Sequence, residues 1–166
     1  MKVGLALTLS AILLLTGGLG VYFYESHNTP SLPTASVCTD PASISSHVYN
    51  PGRLQLVKSC ITVSGIADII RDEADGDYHL ILHLDPDYAN LTNAENDQYQ
   101  HGDLVVEIIC VLPITQQDAT SACQNYTNRI SVRSVGQHII VSGPYVLDTD
   151  HYDWAEIHPV YSLSVS

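Results

Sequence analysis

The sequence predicts a mainly β domain, a small five-stranded barrel with one helix, that spans residues 38–166. Five segments rich in Val, Ile and Leu are separated by turn residues, which predicts five strands. The first segment is long and interrupted by Ser64-Gly65, as a strand bent at a glycine would be. A segment rich in Gln, Asp and Ala, which suits a helix, lies between the third and fourth strands.

The predicted strands cover residues 54–70, 78–84, 104–112, 138–147 and 155–165. The helix between the third and fourth strands covers residues 115–128, and a shorter one follows Asp40-Pro41 through Val48. Residues 85–103 form a long polar loop. A long bent first strand with a helix between strands three and four describes the OB-fold. An immunoglobulin-like sandwich is the second choice, since it requires about seven strands and no central helix.

The N-terminal segment predicts the compartment. Residues 3–24 carry no charged side chain and, at about 1.5 Å per residue, are long enough to span a ~30 Å hydrocarbon core. We therefore expect residues 1–24 to be a signal anchor that uses the membrane as a partner and places the rest outside the cytoplasm. The alternative is a signal peptide cleaved near Gly18–Gly20, which would release a secreted domain. Residues 25–37 are polar, contain two prolines and are predicted to be a linker.

Four cysteines agree with an oxidising compartment, where an even number predicts two disulfides. Three connectivities are possible, and we favour Cys38–Cys60 with Cys110–Cys123. No C-x-x-C pair occurs, so a zinc finger is a poor match. Asn90 and Asn125 begin glycosylation sequons, which matter only if the source glycosylates its exported proteins.

The charge balance excludes one class of partner. The chain has 18 acidic and 6 basic side chains, a net charge of −12, and only Lys2 among the basic residues precedes residue 25. Nucleic-acid binding depends largely on Lys and Arg, so we expect no nucleic acid as a partner. No G-x-S-x-G or phosphate-binding glycine motif occurs, and no catalytic residue is assigned.

Two carboxylate-x-histidine pairs suggest a metal site. Asp77 and His79 in one strand, and Glu156 and His158 in another, would each project to one face, because residues i and i+2 share a face. With His151 from a nearby turn they could bind a divalent zinc, iron or manganese ion and activate water. The alternative is structural: Asp75-Gly76-Asp77 suits a tight turn, and the histidines suit local hydrogen bonds.

A separate set of residues suggests ligand binding. His79 and His83 lie on the face of the second strand opposite its leucines, which is predicted to be the outer wall of the barrel. OB-folds bind ligands on that wall. Together with Trp154, from the turn before the last strand, His79 and His83 are the candidate ligand-binding residues.

Four stretches carry a family resemblance: Asp75–Leu80, Leu104–Ile108, Val141–Asp148 and Glu156–Val160. Their combination resembles a group of small exported microbial proteins of unknown function with an OB-like barrel, over about residues 60–163. That group shares a D-G-D-x-H-L pattern, a V-x-G-x-x-x-x-D strand, a His-Gly-Trp turn and a closing E-I-H-P. Here His151-Tyr152-Asp153-Trp154 replaces the His-Gly-Trp turn. The resemblance implies a fold and brings no activity.

The sequence thus predicts a non-enzymatic, exported and membrane-tethered module that binds a cell-surface protein or a small ligand. The alternative function is the metal site described above, hydrolytic if it activates water. A third possibility is a structural envelope component without a ligand.

Overall fold

The structure, a computed structural model, describes residues 38–132 and 134–166. The predicted anchor (1–24) and linker (25–37) lie outside the described residues. One sheet of six strands dominates the described part, so the mainly β prediction is confirmed. The strands are β1 Leu54–Asp72, β2 Tyr78–Leu84, β3 Leu104–Ile108, β4 His138–Asp148, β5 Trp154–Ile157 and β6 Ser162–Val165. No helix in the described part is both long and apolar enough to cross a membrane.

The sheet closes in a ring because β1 is long enough to pair with two neighbours. Its second half pairs with β2, and its first two thirds pair with β4. Between those two strands the order is β2-β3-β5-β4, in which β3 and β5 run parallel. The short β6 pairs with β4 beyond the end of β5. Gly65, at the predicted bend, pairs with both Leu84 and Ile139.

Alternation along the strands separates an inner and an outer apolar cluster. Leu80 and Leu82 of β2 belong to the inner cluster with Val106 and Ile157. Ile81 belongs to an outer cluster with Val105 and Trp154, and it has no exposed surface. The outer wall of β2 is therefore covered at Ile81.

The one α-helix of the described residues, α1 (Ala94–Tyr99), lies where a polar loop was predicted and packs against β5. The side chains of Asn93 and Asn96 form a capping box at its start. Asn96 also donates to the carbonyl of Ala155 at 2.9 Å, and its Oδ1 accepts from the amide of Ala155 at 2.8 Å. A buried Asn96, rather than an apolar face, attaches this short helix to the sheet.

The helix predicted over residues 115–128 is wrong. Only a 3-10 turn, Gln117–Ala119, forms there, and turns follow it. The backbone amides of Thr115 and Gln116 both bond to the carbonyl of Ala74 in the β1–β2 loop, at 2.8 Å each. A disulfide joins the same segment to Cys110 at the end of β3. These anchors hold the segment across the end of the sheet and override its helical composition.

The predicted fifth strand is two strands, so the sheet has six strands rather than five. The strand stops after Ile157 and resumes at Ser162. Pro159 lies in the gap, and a proline has no N–H to donate to a ladder. The third predicted strand is also shorter than expected, since β3 ends at Ile108 and the left-handed Cys110 (φ 58°) turns the chain.

Both disulfides form with the favoured connectivity. Cys38 pairs with Cys60 and Cys110 pairs with Cys123, each at a Cα–Cα distance of 5.5 Å, and no described cysteine is free. The first disulfide joins the start of the domain to β1. Two disulfides are consistent with an extracytoplasmic protein.

Candidate functional site

A polar cavity of about 190 Å³ opens on the outer side of β2 and β3. The β1–β2 loop (residues 73–77) and the β4–β5 loop (residues 149–153) both contribute to its wall. Its acidic lining residues are Glu73, Asp75, Glu107 and Asp148, its basic ones are Arg53, Arg71, His79 and His151, and Gln100 and Trp154 complete the wall.

His79 and Glu107 form a buried pair in the cavity wall. They are cross-strand neighbours on β2 and β3, and Nδ1 of His79 lies 2.6 Å from Oε1 of Glu107. On the other side of the ring, Nε2 lies 3.4 Å from Oε1 of Gln100, which follows α1. Burial lowers the pKa of His79, but the hydrogen bond and negative charge of Glu107 outweigh it, and the pKa is raised. Two acceptors therefore fix the orientation of this imidazole.

A second line of polar contacts follows β5 and its extension, where alternate residues share a face. Trp154 Nε1 donates to Oε2 of Glu156 at 2.9 Å, and Nδ1 of His158 lies 3.1 Å from Oε1 of the same carboxylate. Burial lowers the pKa of His158, but the hydrogen bond and charge of Glu156 outweigh it and raise the pKa. Nε2 of His158 is buried without a hydrogen-bond partner. Glu156 thus connects the cavity wall, through Trp154, to a histidine of the interior.

Asp148, at the end of β4, contacts two basic side chains. Its Oδ2 accepts from Nε of Arg53 at 2.8 Å and lies 2.9 Å from Nδ1 of His151. Burial raises the pKa of Asp148, but the hydrogen bond of His151 and the charge of Arg53 outweigh it and lower the pKa. The imidazole of His151 stacks flat on Trp154, with ring centroids 4.8 Å apart. This arrangement fixes the β4–β5 loop against the cavity.

Asp77 lies at the end of the β1–β2 loop and is buried. Its Oδ1 accepts from the amide of Cys110 at 2.7 Å, and its own amide donates to Asp75 as in a tight turn. Burial, and next the negative charge of Asp75, raise the pKa of Asp77 to about 8. Its carboxyl group is therefore mostly protonated at neutral pH.

The candidate ligand-binding residues separate into two locations. His79 and Trp154 line the cavity. His83 does not: its side chain is 72% exposed and pairs with Asp103 at 2.8 Å, farther along β2.

The five candidate metal ligands do not converge on one point. His79 pairs with Glu107, His151 with Asp148, and Glu156 with His158. Among the described residues, the one group of three potential ligand atoms within 4.8 Å of one another is Asp77, Cys110 and Cys123. The two cysteines of that group form a disulfide. Of the two Asp/Glu-x-His patterns, Glu156 and His158 therefore form a hydrogen-bonded pair with each other, whereas Asp77 accepts from the Cys110 amide and His79 pairs with Glu107.

Several cavity residues were not among the sequence candidates. Glu107 had a signal, because it is the one charged residue inside the apolar β3 segment. Asp148 ends a strand and Arg53 precedes one, positions too common to identify a site. Gln100 had no signal, because it reaches the cavity from the unpredicted helix α1.

The arrangement offers fixed hydrogen-bond donors and acceptors. Arg53, His79 and Gln100 are held by neighbouring side chains or carbonyls before any ligand arrives. None of the described residues that line the cavity is a serine, threonine or cysteine. The cavity is therefore suited to binding a polar molecule. The chain matches no protein-family model, no curated protein and no solved structure.

Proposed function

We propose that the protein is a non-enzymatic binding module that works outside the cytoplasm and takes a small polar ligand in the cavity over β2 and β3. The observation that carries the proposal is the set of buried charged pairs in the wall, His79–Glu107 and Arg53–Asp148, held in place by contacts within the protein. Polar groups fixed in advance lower the entropy cost of binding. Residues 3–24 would tether the module to a membrane.

The proposed fold is of the OB type. Five strands close in a ring in which the long β1 pairs with both β2 and β4, and this supports a five-stranded Greek-key barrel. In OB-folds the ligand lies on strands 2 and 3, between the loops after the first and fourth strands. The cavity occupies that position here, with Glu73 and Asp75 from one loop and His151 from the other. Fold alone does not imply function, so the residues of the cavity carry the proposal.

The size of the cavity sets the size of the ligand. About 190 Å³ is below the range of roughly 300–1,000 Å³ that holds drug-sized ligands. A single ring or a short polar chain is the group that we expect inside. A larger molecule would place one part in the cavity and the rest on the surface.

Trp154 provides the test, because it is the single tryptophan of the chain and lines the cavity. We expect a saturable change in its fluorescence and its indole N–H resonance on titration with one class in a panel of amino acids, neutral sugars, dicarboxylates and nucleosides. Arg71 lines the cavity and has no ion pair with another residue that the structure describes, so Arg71→Ala should weaken binding without unfolding the domain.

The matched control is Arg129→Ala, which removes an exposed arginine that does not line this cavity. It should bind as the unmodified domain does. If millimolar concentrations of every class leave both Trp154 signals unchanged, the proposed function is wrong. If Arg71→Ala and Arg129→Ala reduce binding equally, the ligand binds elsewhere.

A further inference from the structure

A pair of exposed tyrosines lies beside the cavity. Tyr99 ends α1 and Tyr152 lies in the β4–β5 loop; their rings stack with centroids 4.4 Å apart and an interplanar angle of 16°. Their chain neighbours, Gln100 and His151, line the cavity, so the pair lies at its rim. Tyr152 is 64% exposed and Tyr99 is 39% exposed. In the stacked pair, each ring has one face that the other ring does not cover. The pair therefore places an aromatic surface close to a polar cavity.

The backbone makes Tyr152 an unexpected choice at its position. Its φ of 65° lies in the left-handed region, as does that of Asp153, and glycine adopts this region at lower cost than a bulky residue. Folding alone favours a smaller residue there. A strained residue at a loop tip next to a cavity is a reason to look for function.

The ion pairs of the cavity favour a neutral ligand over an anionic one. Its buried carboxylates already have cationic partners: Glu107 has His79, and Asp148 has Arg53. An ionic ligand would compete with these pairs, whereas a hydroxyl group both donates and accepts and adds hydrogen bonds without unbalancing them. Anionic ligands are disfavoured further by the excess of 18 acidic over 6 basic residues in the chain.

Among the described residues that line the cavity, three charged side chains form no ion pair and remain for such hydroxyls. They are Arg71, Glu73 and Asp75, all on or next to the β1–β2 loop. Guanidinium and carboxylate groups are planar and present two parallel donors or acceptors. Adjacent hydroxyls on one ring match that spacing.

We propose that the ligand is a short neutral oligosaccharide, with one sugar ring in the cavity and the next ring on the Tyr99–Tyr152 pair. This inference rests on the proposed function and names the ligand class for the same cavity. A sugar ring has hydroxyls around its edge and C–H groups on its faces. The edge fits the polar cavity, and a face packs on an aromatic ring. Tyrosine suits this role because it presents an apolar face and a polar tip.

The test titrates the domain with neutral tetrasaccharides of glucose, N-acetylglucosamine, mannose and xylose, and with tetragalacturonate as the anionic counterpart. We expect at least one neutral sugar to shift the Trp154 indole resonance and tetragalacturonate to have no effect. Tyr152→Ala should weaken that binding about tenfold, the equivalent of about 1.4 kcal/mol. Tyr152→Phe keeps the ring and should bind within about twofold of the unmodified domain, a difference of about 0.4 kcal/mol.

The outcomes separate the two proposals. If no neutral sugar binds while another class shifts Trp154, the inference is overturned and the proposed function stands. If no class shifts Trp154, both are overturned. If a sugar binds equally well to Tyr152→Ala, the aromatic surface is not part of the site and the inference is overturned. A thermal melt of each variant shows that it is folded, as expected for an exposed side chain.

Discussion

The carboxyl group of Asp77 is a buried acid whose pKa of about 8 lies far above its ordinary value of 3.8. Between those two values the folded state holds a proton that the unfolded chain has released. The contribution of Asp77 to the free energy of unfolding therefore falls by about 1.4 kcal/mol for each unit by which the pH rises. The raised pKa values of His79 and His158 act in the same direction. The two histidines stabilise the folded state below the ordinary histidine pKa. This stabilisation is lost as the pH rises through their pKa values in the folded state.

Replacing Asp77 by Asn should remove this pH dependence and stabilise the domain at alkaline pH. The amide oxygen of Asn can still accept from Cys110, and the side chain carries no charge to bury. We expect a gain on the order of a few kcal/mol at pH 8 and little change near pH 4. Urea denaturation at pH 4, 6 and 8 measures it.

Asp72→Asn is the matched control, because Asp72 is an exposed acid at the end of β1. Its stability should follow the pH curve of the unmodified domain. Parallel curves for Asp77→Asn and the unmodified domain would show that Asp77 is ionised in the folded state.

Single residues were predictable from sequence where the reason was local. The turn at Asp75-Gly76-Asp77 was predicted, and the amide of Asp77 does bond to Asp75. The burial of Asp77 was not predictable, because it depends on Cys110, which lies in the turn after β3. The pairing of His79 with Glu107 likewise requires the register between β2 and β3.

At the scale of elements, Gly65 is the position where β1 passes from one partner strand to the other. A Cβ there would overlap the carbonyl oxygen of His83 and lie 2.9 Å from the carbonyl carbon. Both atoms belong to the backbone of β2 and cannot rotate away. The sequence predicted a bend at this glycine, and the close approach of β2 explains why a side chain is not tolerated.

Gly65→Ala should destabilise the domain by about 2 kcal/mol or more, as overpacking against fixed atoms does. Gly52→Ala is the control, since a Cβ at Gly52 meets no atom within 4 Å. Thermal melts compare the two. Equal melting temperatures for the two variants would mean that β1 and β2 can separate at Gly65 without loss of stability.

Whether an element could be predicted from the sequence depended on which interactions stabilise it. The Val- and Ile-rich segments became strands because their pattern matches the buried faces of a sheet. Residues 115–128 did not become a helix because a disulfide and bonds to Ala74 determine their path. α1 was missed because Asn96 attaches it to β5 and no apolar periodicity marks it.

At the scale of the whole molecule, two disulfides constrain the unfolded chain. The paired cysteines are separated by 22 and 13 residues, and the chain-entropy model gives about 3 kcal/mol for either loop. Replacing either pair by serines should therefore lower the free energy of unfolding by about 3 kcal/mol. Urea denaturation measures this loss. A loss below about 1 kcal/mol for either pair would show that its loop is already restricted in the unfolded chain.

The dual pairing of β1 has a consequence for the order in which the chain folds. Leu54, at the start of β1, pairs with Asp148, which the ribosome adds much later. The ring cannot close until β4 exists, and contacts so distant along the chain form slowly. A chain that stays open until its C-terminal part emerges is easy to pass through a membrane pore. Late closure of the ring would keep an exported form of this protein translocation-competent.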